Sequence, residues 1–64
     1  MNSYIVETES GNFLIVAGAR DACEAMNTAR TRAPEFGIPV KARLTSPDLW
    51  DPEPPIALYL VVDD

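Results

Sequence analysis

The sequence predicts an α+β fold: a small ββαββ domain with one helix packed on one face of an antiparallel four-stranded sheet. Three observations predict it. Four short runs have the apolar content and length of strands. One alanine-rich run between the second and third has helical spacing. The turn formers between these runs are short and leave no room for a linker, so residues 1–64 read as a single domain.

The first run, SYIVETE at 3–9, alternates. Tyr4, Val6 and Thr8 fall on one side, and Ile5, Glu7 and Glu9 on the other. Ser10-Gly11-Asn12 then reads as a hairpin turn. FLIVA at 13–17 is apolar at every position, as expected of a central strand covered on both faces. Either Leu14 and Val16 or Phe13 and Ile15 must face away from the helix.

Gly18 breaks the strand and is read as the N-cap of a helix over 19–33, with Asp21 near the positive end of the helix dipole. Ala22, Met26, Ala29 and Ala33 form one stripe, which Ala19, Cys23 and Ala25 widen. Arg30 and Arg32 sit in the last turn, where cations favour the dipole, and Pro34 ends the helix. In the connector EFGIP, Phe36 and Ile38 are available to plug the edge of the core. VKARLT at 40–45 alternates, so Val40, Ala42 and Leu44 are expected inside and Lys41, Arg43 and Thr45 outside. After a proline-rich loop at 46–55, IALYLVV at 56–62 forms the last strand. Its even-numbered residues share one face, and Ala57, Tyr59 and Val61 share the other.

One helix covers one face of such a sheet. The other face would present Tyr59, Val61 and Ile5 with Glu7, Glu9, Lys41 and Arg43 around them. An apolar centre with a charged rim is the anatomy of an interface. A chain this short has little material for a second covering layer.

The loop SPDLWDPEPP is the other candidate. Its four prolines stiffen the backbone around Leu49 and Trp50. Two readings stand side by side. The tryptophan caps the open end of the core, or it anchors a partner while Asp48, Asp51 and Glu53 steer the loop to a basic surface. The spacing of those carboxylates matches no calcium loop.

Composition narrows the function further. The 47% hydrophobic and 23% charged content is that of a folded globular chain. The net charge of −5 disfavours phosphate backbones and anionic membranes and favours basic protein surfaces. There is no histidine, and Cys23 is the single cysteine. Zinc sites of the usual kind and disulfides are thereby excluded, and a reducing, cytoplasmic setting is expected. Met1 without a leader-like segment reads as the start of a complete small reading frame. Cys23 falls on the apolar stripe and is expected to be a small core residue rather than a nucleophile. No metal, no cofactor and no catalysis are expected.

The sequence thus points to a small acidic non-enzymatic binding protein that occupies a surface of another macromolecule. Phages and mobile elements encode inhibitors of host enzymes and defence complexes of this size and character. The partner-binding candidates are Leu49, Trp50, Asp48, Asp51, Glu53, Tyr59, Val61, Glu7 and Glu9. The alternatives are a homodimeric module, or a small subunit of a larger assembly, using the open sheet face. Ranked last is a nucleic-acid binder using Tyr59 with Arg20, Arg30, Arg32 and Lys41.

Overall fold

The computed structural model describes residues 2–45 and 56–62. Within them the chain runs β1 (Asn2–Thr8), β2 (Phe13–Ala19), α1 (Ala22–Arg32), a 3-10 turn (Pro34–Phe36), β3 (Pro39–Thr45) and β4 (Leu58–Val61). The fold is α+β, with the four strands in one sheet of order β3-β1-β2-β4.

β1 pairs antiparallel with β2 on one side and β3 on the other, which fills both of its edges. β4 takes the free edge of β2 and runs parallel to it. The sheet is therefore mixed, which corrects the purely antiparallel expectation. Parallel pairing requires a crossover of roughly a dozen residues rather than a tight turn. The chain between Ala19 and Leu58, which includes α1 and β3, meets that requirement. β3 and β4 consequently lie at opposite edges and point the same way.

Register divides the side chains cleanly. Tyr4 lies opposite Val16 and Leu44, and Val6 opposite Leu14 and Ala42; Leu14 and Val16 in turn match Leu58 and Leu60. These positions form the helix side. Tyr4, Val6, Leu14, Val16 and Leu60 make one buried cluster with Ala19, Ala25, Ala29 and Ala33. Ala25 and Ala29 line the buried face of α1, the C-cap Ala33 continues that line, and together they let the helix backbone approach the sheet closely. Met26, Ala22 and Phe36 pack at the margin of this cluster. Phe36 thus takes the edge-plugging role expected of it, while Ile38 is exposed instead.

The helix begins later than Gly18. β2 continues through Gly18 to Ala19, and Gly18 adopts φ +82 beside Val62, a backbone position that glycine suits. Asp21 is the N-cap, its carboxylate accepting from the Glu24 amide at 2.8 Å. The Glu24 carboxylate reaches back to accept from the Arg20 amide at 2.7 Å. This Asp-x-x-Glu arrangement is close to a capping box, displaced by one residue. Asp21 therefore stops the strand reading and starts the helix, which glycine at 18 does not.

Cys23 is exposed, which corrects its assignment to the apolar stripe. It stands roughly 100° around the helix from Ala22, and the buried line runs through Ala25, Ala29 and Ala33 on the other flank.

The hairpin end of the sheet is fixed by one polar cluster. Thr8, 2% exposed, donates its hydroxyl to the Phe36 carbonyl at 2.8 Å. The same hydroxyl oxygen accepts from the Asn12 amide, and the Asn12 side chain donates to the Phe36 carbonyl at 2.9 Å. Each buried polar atom of Thr8 thereby has a partner, and the β1–β2 turn is tied to the segment leaving the helix. Gly37 sits within this contact at φ +107. That backbone conformation favours glycine, and a Cβ there would also push on the Ser10 hydroxyl 2.5 Å away.

Candidate functional site

The face of the sheet away from α1 is built by the other half of each strand. Register sets Arg43, Ile5, Ile15 and Tyr59 in one row across all four strands. Lys41, Glu7 and Phe13 form a second row, and Ala17 lies opposite Val61. Phe13 and Ile15, not Leu14 and Val16, are therefore the pair that faces away from the helix.

The row gives this face a gradient of polarity. At its centre Ile15 is only 1% exposed, between Ile5 and Tyr59. At the β4 side Tyr59 and Val61 are 49% and 51% exposed. At the β3 side stand the exposed Lys41 and Arg43. Glu7 is half-buried between Phe13 and Lys41 in the ladder. The face can bury apolar surface at one end and satisfy carboxylates at the other.

Of the residues the sequence singled out, the structure brings Tyr59, Val61 and Glu7 to one face. Glu9 does not join them as a strand residue. β1 ends at Thr8, and the Glu9 amide donates to the Ile38 carbonyl at 2.9 Å from within the turn region. Asp48, Leu49, Trp50, Asp51 and Glu53 lie outside the described residues.

Three exposed apolar residues were expected elsewhere. Ile38, Val40 and Leu44 were read as inward-facing, yet they are 57%, 56% and 64% exposed. The alternation holds for Ala42 and Leu44, which lie opposite Val6 and Tyr4, and Ala42 packs on the core. The reach of the helix is what fails. Eleven residues of helix span roughly 16 Å, whereas seven residues of strand span roughly 23 Å, so the ends of the outermost strand project beyond its cover. Register also shifts between the pairs Glu7–Lys41 and Thr8–Pro39, leaving Val40 as the extra residue of a bulge. Pro39 and two cations in one strand are edge-strand signals already present in the sequence.

Charge is distributed as unevenly as polarity. Residues 2–45 hold five carboxylates and all five cations, and so are balanced; residues 46–64 hold the other five carboxylates and no cation. The whole net charge of −5 thus belongs to the part of the chain that contains β4. β3, at the opposite edge, carries Lys41 and Arg43.

Among the described residues, chemistry-bearing groups do not converge elsewhere. A shallow cleft of about 330 Å³ is lined by Gly11, Asn12, Phe13, Ile56 and Ala57. Its one polar side chain, Asn12, already donates to Phe36. Among the described residues no three of His, Cys, Asp and Glu are grouped to hold a metal ion, and no helix is long and apolar enough to cross a membrane. The Cys23 thiol has the Asn27 amide nitrogen 3.9 Å away, a weak contact on the outer side of the helix.

No family model, no curated protein and no solved structure matches this chain.

Proposed function

We propose that this protein is a small non-enzymatic binding protein that acts by occupying a surface of another macromolecule through the open face of its sheet. The observation that carries this reading is the pair Tyr59 and Val61, each about half exposed on a face that α1 does not cover. An aromatic and a branched apolar side chain beside a nearly buried isoleucine form a compact apolar contact, of the kind that anchors interfaces. The net charge of −5, carried by residues 46–64 of the sequence, favours a basic partner over an acidic one. Asp48, Leu49, Trp50, Asp51 and Glu53 belong to that acidic segment and are assigned to the same contact.

In this reading the protein works in the cytoplasm and inhibits or masks its partner, as small proteins of phages and mobile elements do. Homodimerisation through the same face is the rival, since two copies could cover each other's Tyr59 and Val61.

The test compares the wild type with Tyr59→Glu/Val61→Glu, after amide NMR spectra establish that both are folded. Tagged protein is cross-linked in the source cells, and light scattering gives its mass at micromolar concentration. The expected result is a monomer that captures a basic protein, with the double variant and high salt both reducing capture. A dimer that the double variant dissociates supports the homodimer instead. Capture that the double variant leaves unchanged overturns the assignment of this face.

A further inference from the structure

β3 presents a second surface of opposite electrical character. Ile38, Val40 and Leu44 are the three most exposed large apolar side chains among the described residues, and they lie within seven positions at one edge of the sheet. Lys41 and Arg43 alternate with Val40 and Leu44 along the strand and are exposed. Among the described residues the ion pair is Arg20 with Glu24, so neither Lys41 nor Arg43 has a carboxylate within bridging distance. Among the described residues β3 has a strand neighbour on its β1 side alone, so alternate backbone amides and carbonyls point outward.

A second copy of this chain is a poor occupant. Pairing β3 with β3 antiparallel about Ala42 sets Lys41 against the partner's Arg43, and the other central registers also bring cations together. Like charges directly opposite destabilise a pair of strands. Pro39 and the bulge at Val40 further blunt indiscriminate pairing at the start of the strand. What these features favour is a strand of complementary pattern.

We propose that β3 accepts an added strand from an acidic protein: an extended segment alternating apolar residues with Asp or Glu. Its apolar side chains extend the helix side of the sheet beside Ala42 and Leu44. Its carboxylates meet Lys41 and Arg43 on the other side. Backbone hydrogen bonds give the docking its direction, and the alternation gives its specificity. This surface is separate from Tyr59 and Val61, so each assignment can fail without the other.

The probe is an eight-residue capped peptide alternating valine with glutamate, titrated into isotopically labelled full-length protein. A lysine-for-glutamate version serves as control. Amide shifts confined to residues 39–45, with the glutamate peptide binding about tenfold tighter than the lysine peptide, are expected. The double variant Lys41→Glu/Arg43→Glu should reverse that preference while keeping a dispersed spectrum, and Tyr59→Glu should leave it unchanged. Any of three outcomes overturns the proposal. They are no shifts at millimolar peptide, equal response to both peptides, or shifts in 39–45 that grow with protein concentration alone, which would assign the edge to a second copy.

Discussion

Leu14 and Ile15 are neighbours on β2, are 0% and 1% exposed, and point to opposite sides of the sheet. Leu14 belongs to the cluster closed by Ala25, Ala29 and Ala33 of the helix; Ile15 does not. One residue is held from above and from the sides. The other is held in the ladder between Ile5 and Tyr59, the latter half exposed. Equal burial therefore does not imply an equal role. The helix face determines whether the chain folds. On the opposite face Tyr59 and Val61 stay about half exposed, and that is the face proposed to meet a partner.

The most direct way to break this comparison is to cut both side chains back. Leu14→Ala should cost about 3 kcal/mol, since it removes a side chain from a close-packed site that the helix backbone cannot collapse to fill. A domain of this length has little more than that to lose, with about 3–5 kcal/mol from a single core, so an unfolded population of up to about half should be visible by circular dichroism at 37 °C. Ile15→Ala should cost less, about 2 kcal/mol, because its row neighbours Ile5 and Tyr59 are only partly buried and can shift into the space. Equal losses in urea melts would mean that the two faces are equally packed, and the open face would lose its standing as a binding surface.

A smaller effect sharpens the same contrast at the hairpin end. Thr8 is the buried polar residue of the helix side, with its hydroxyl between the Asn12 amide and the Phe36 carbonyl. Thr8→Val keeps the shape and removes that link. The Asn12 amide loses an acceptor, while the Phe36 carbonyl keeps the Asn12 side chain as a donor. The expected cost is about 1 kcal/mol. Faster hydrogen exchange should appear at Gly11 and Gly37, whose amides belong to the two turns that this cluster joins. A variant as stable as the wild type would show that water replaces the hydroxyl at no loss.

How much of this was legible in the sequence depends on whether local pattern or long-range pairing decided the outcome. The alternation of Tyr4, Val6 and Thr8 against Ile5 and Glu7 is a property of one strand, and it reads directly. The same holds for Phe36 at the core margin and for the alanines of the helix. The mixed sheet was not legible, because the partner of β4 is chosen by which edge stays free after β1 is paired on both sides. The exposure of Val40 and Leu44 was hidden for a related reason. The alternation holds for Ala42 and Leu44 and breaks at the bulge residue Val40, and whether a strand end is covered depends on the length and placement of a helix elsewhere in the chain. The helix start was legible and misread: Asp21 and Glu24 spell a capping signal that outranks the glycine three residues earlier. Of the candidate site, Tyr59, Val61 and Glu7 share a face because period-2 alternation places them there. The cations of β3 gain meaning only once that strand is known to be an edge.

The smallest expected effect lies on the side of α1 that neither face of the sheet touches. Cys23 is exposed there, beside Asn27. Cys23→Ser replaces a thiol by a hydroxyl of similar size at a position with no packing to lose, and the two residues have similar helix propensities. The change in stability should stay within about 0.5 kcal/mol, and an aromatic disulfide reagent should titrate the thiol in the folded wild type as readily as in urea. A protected thiol, or a loss above about 1 kcal/mol, would place Cys23 back in the core and shift the helix by a third of a turn. Partner capture that fails in a stable Cys23→Ser protein would have a different consequence. It would move the binding surface from the sheet to the outer side of the helix, and the contrast between Leu14 and Ile15 would then describe only folding.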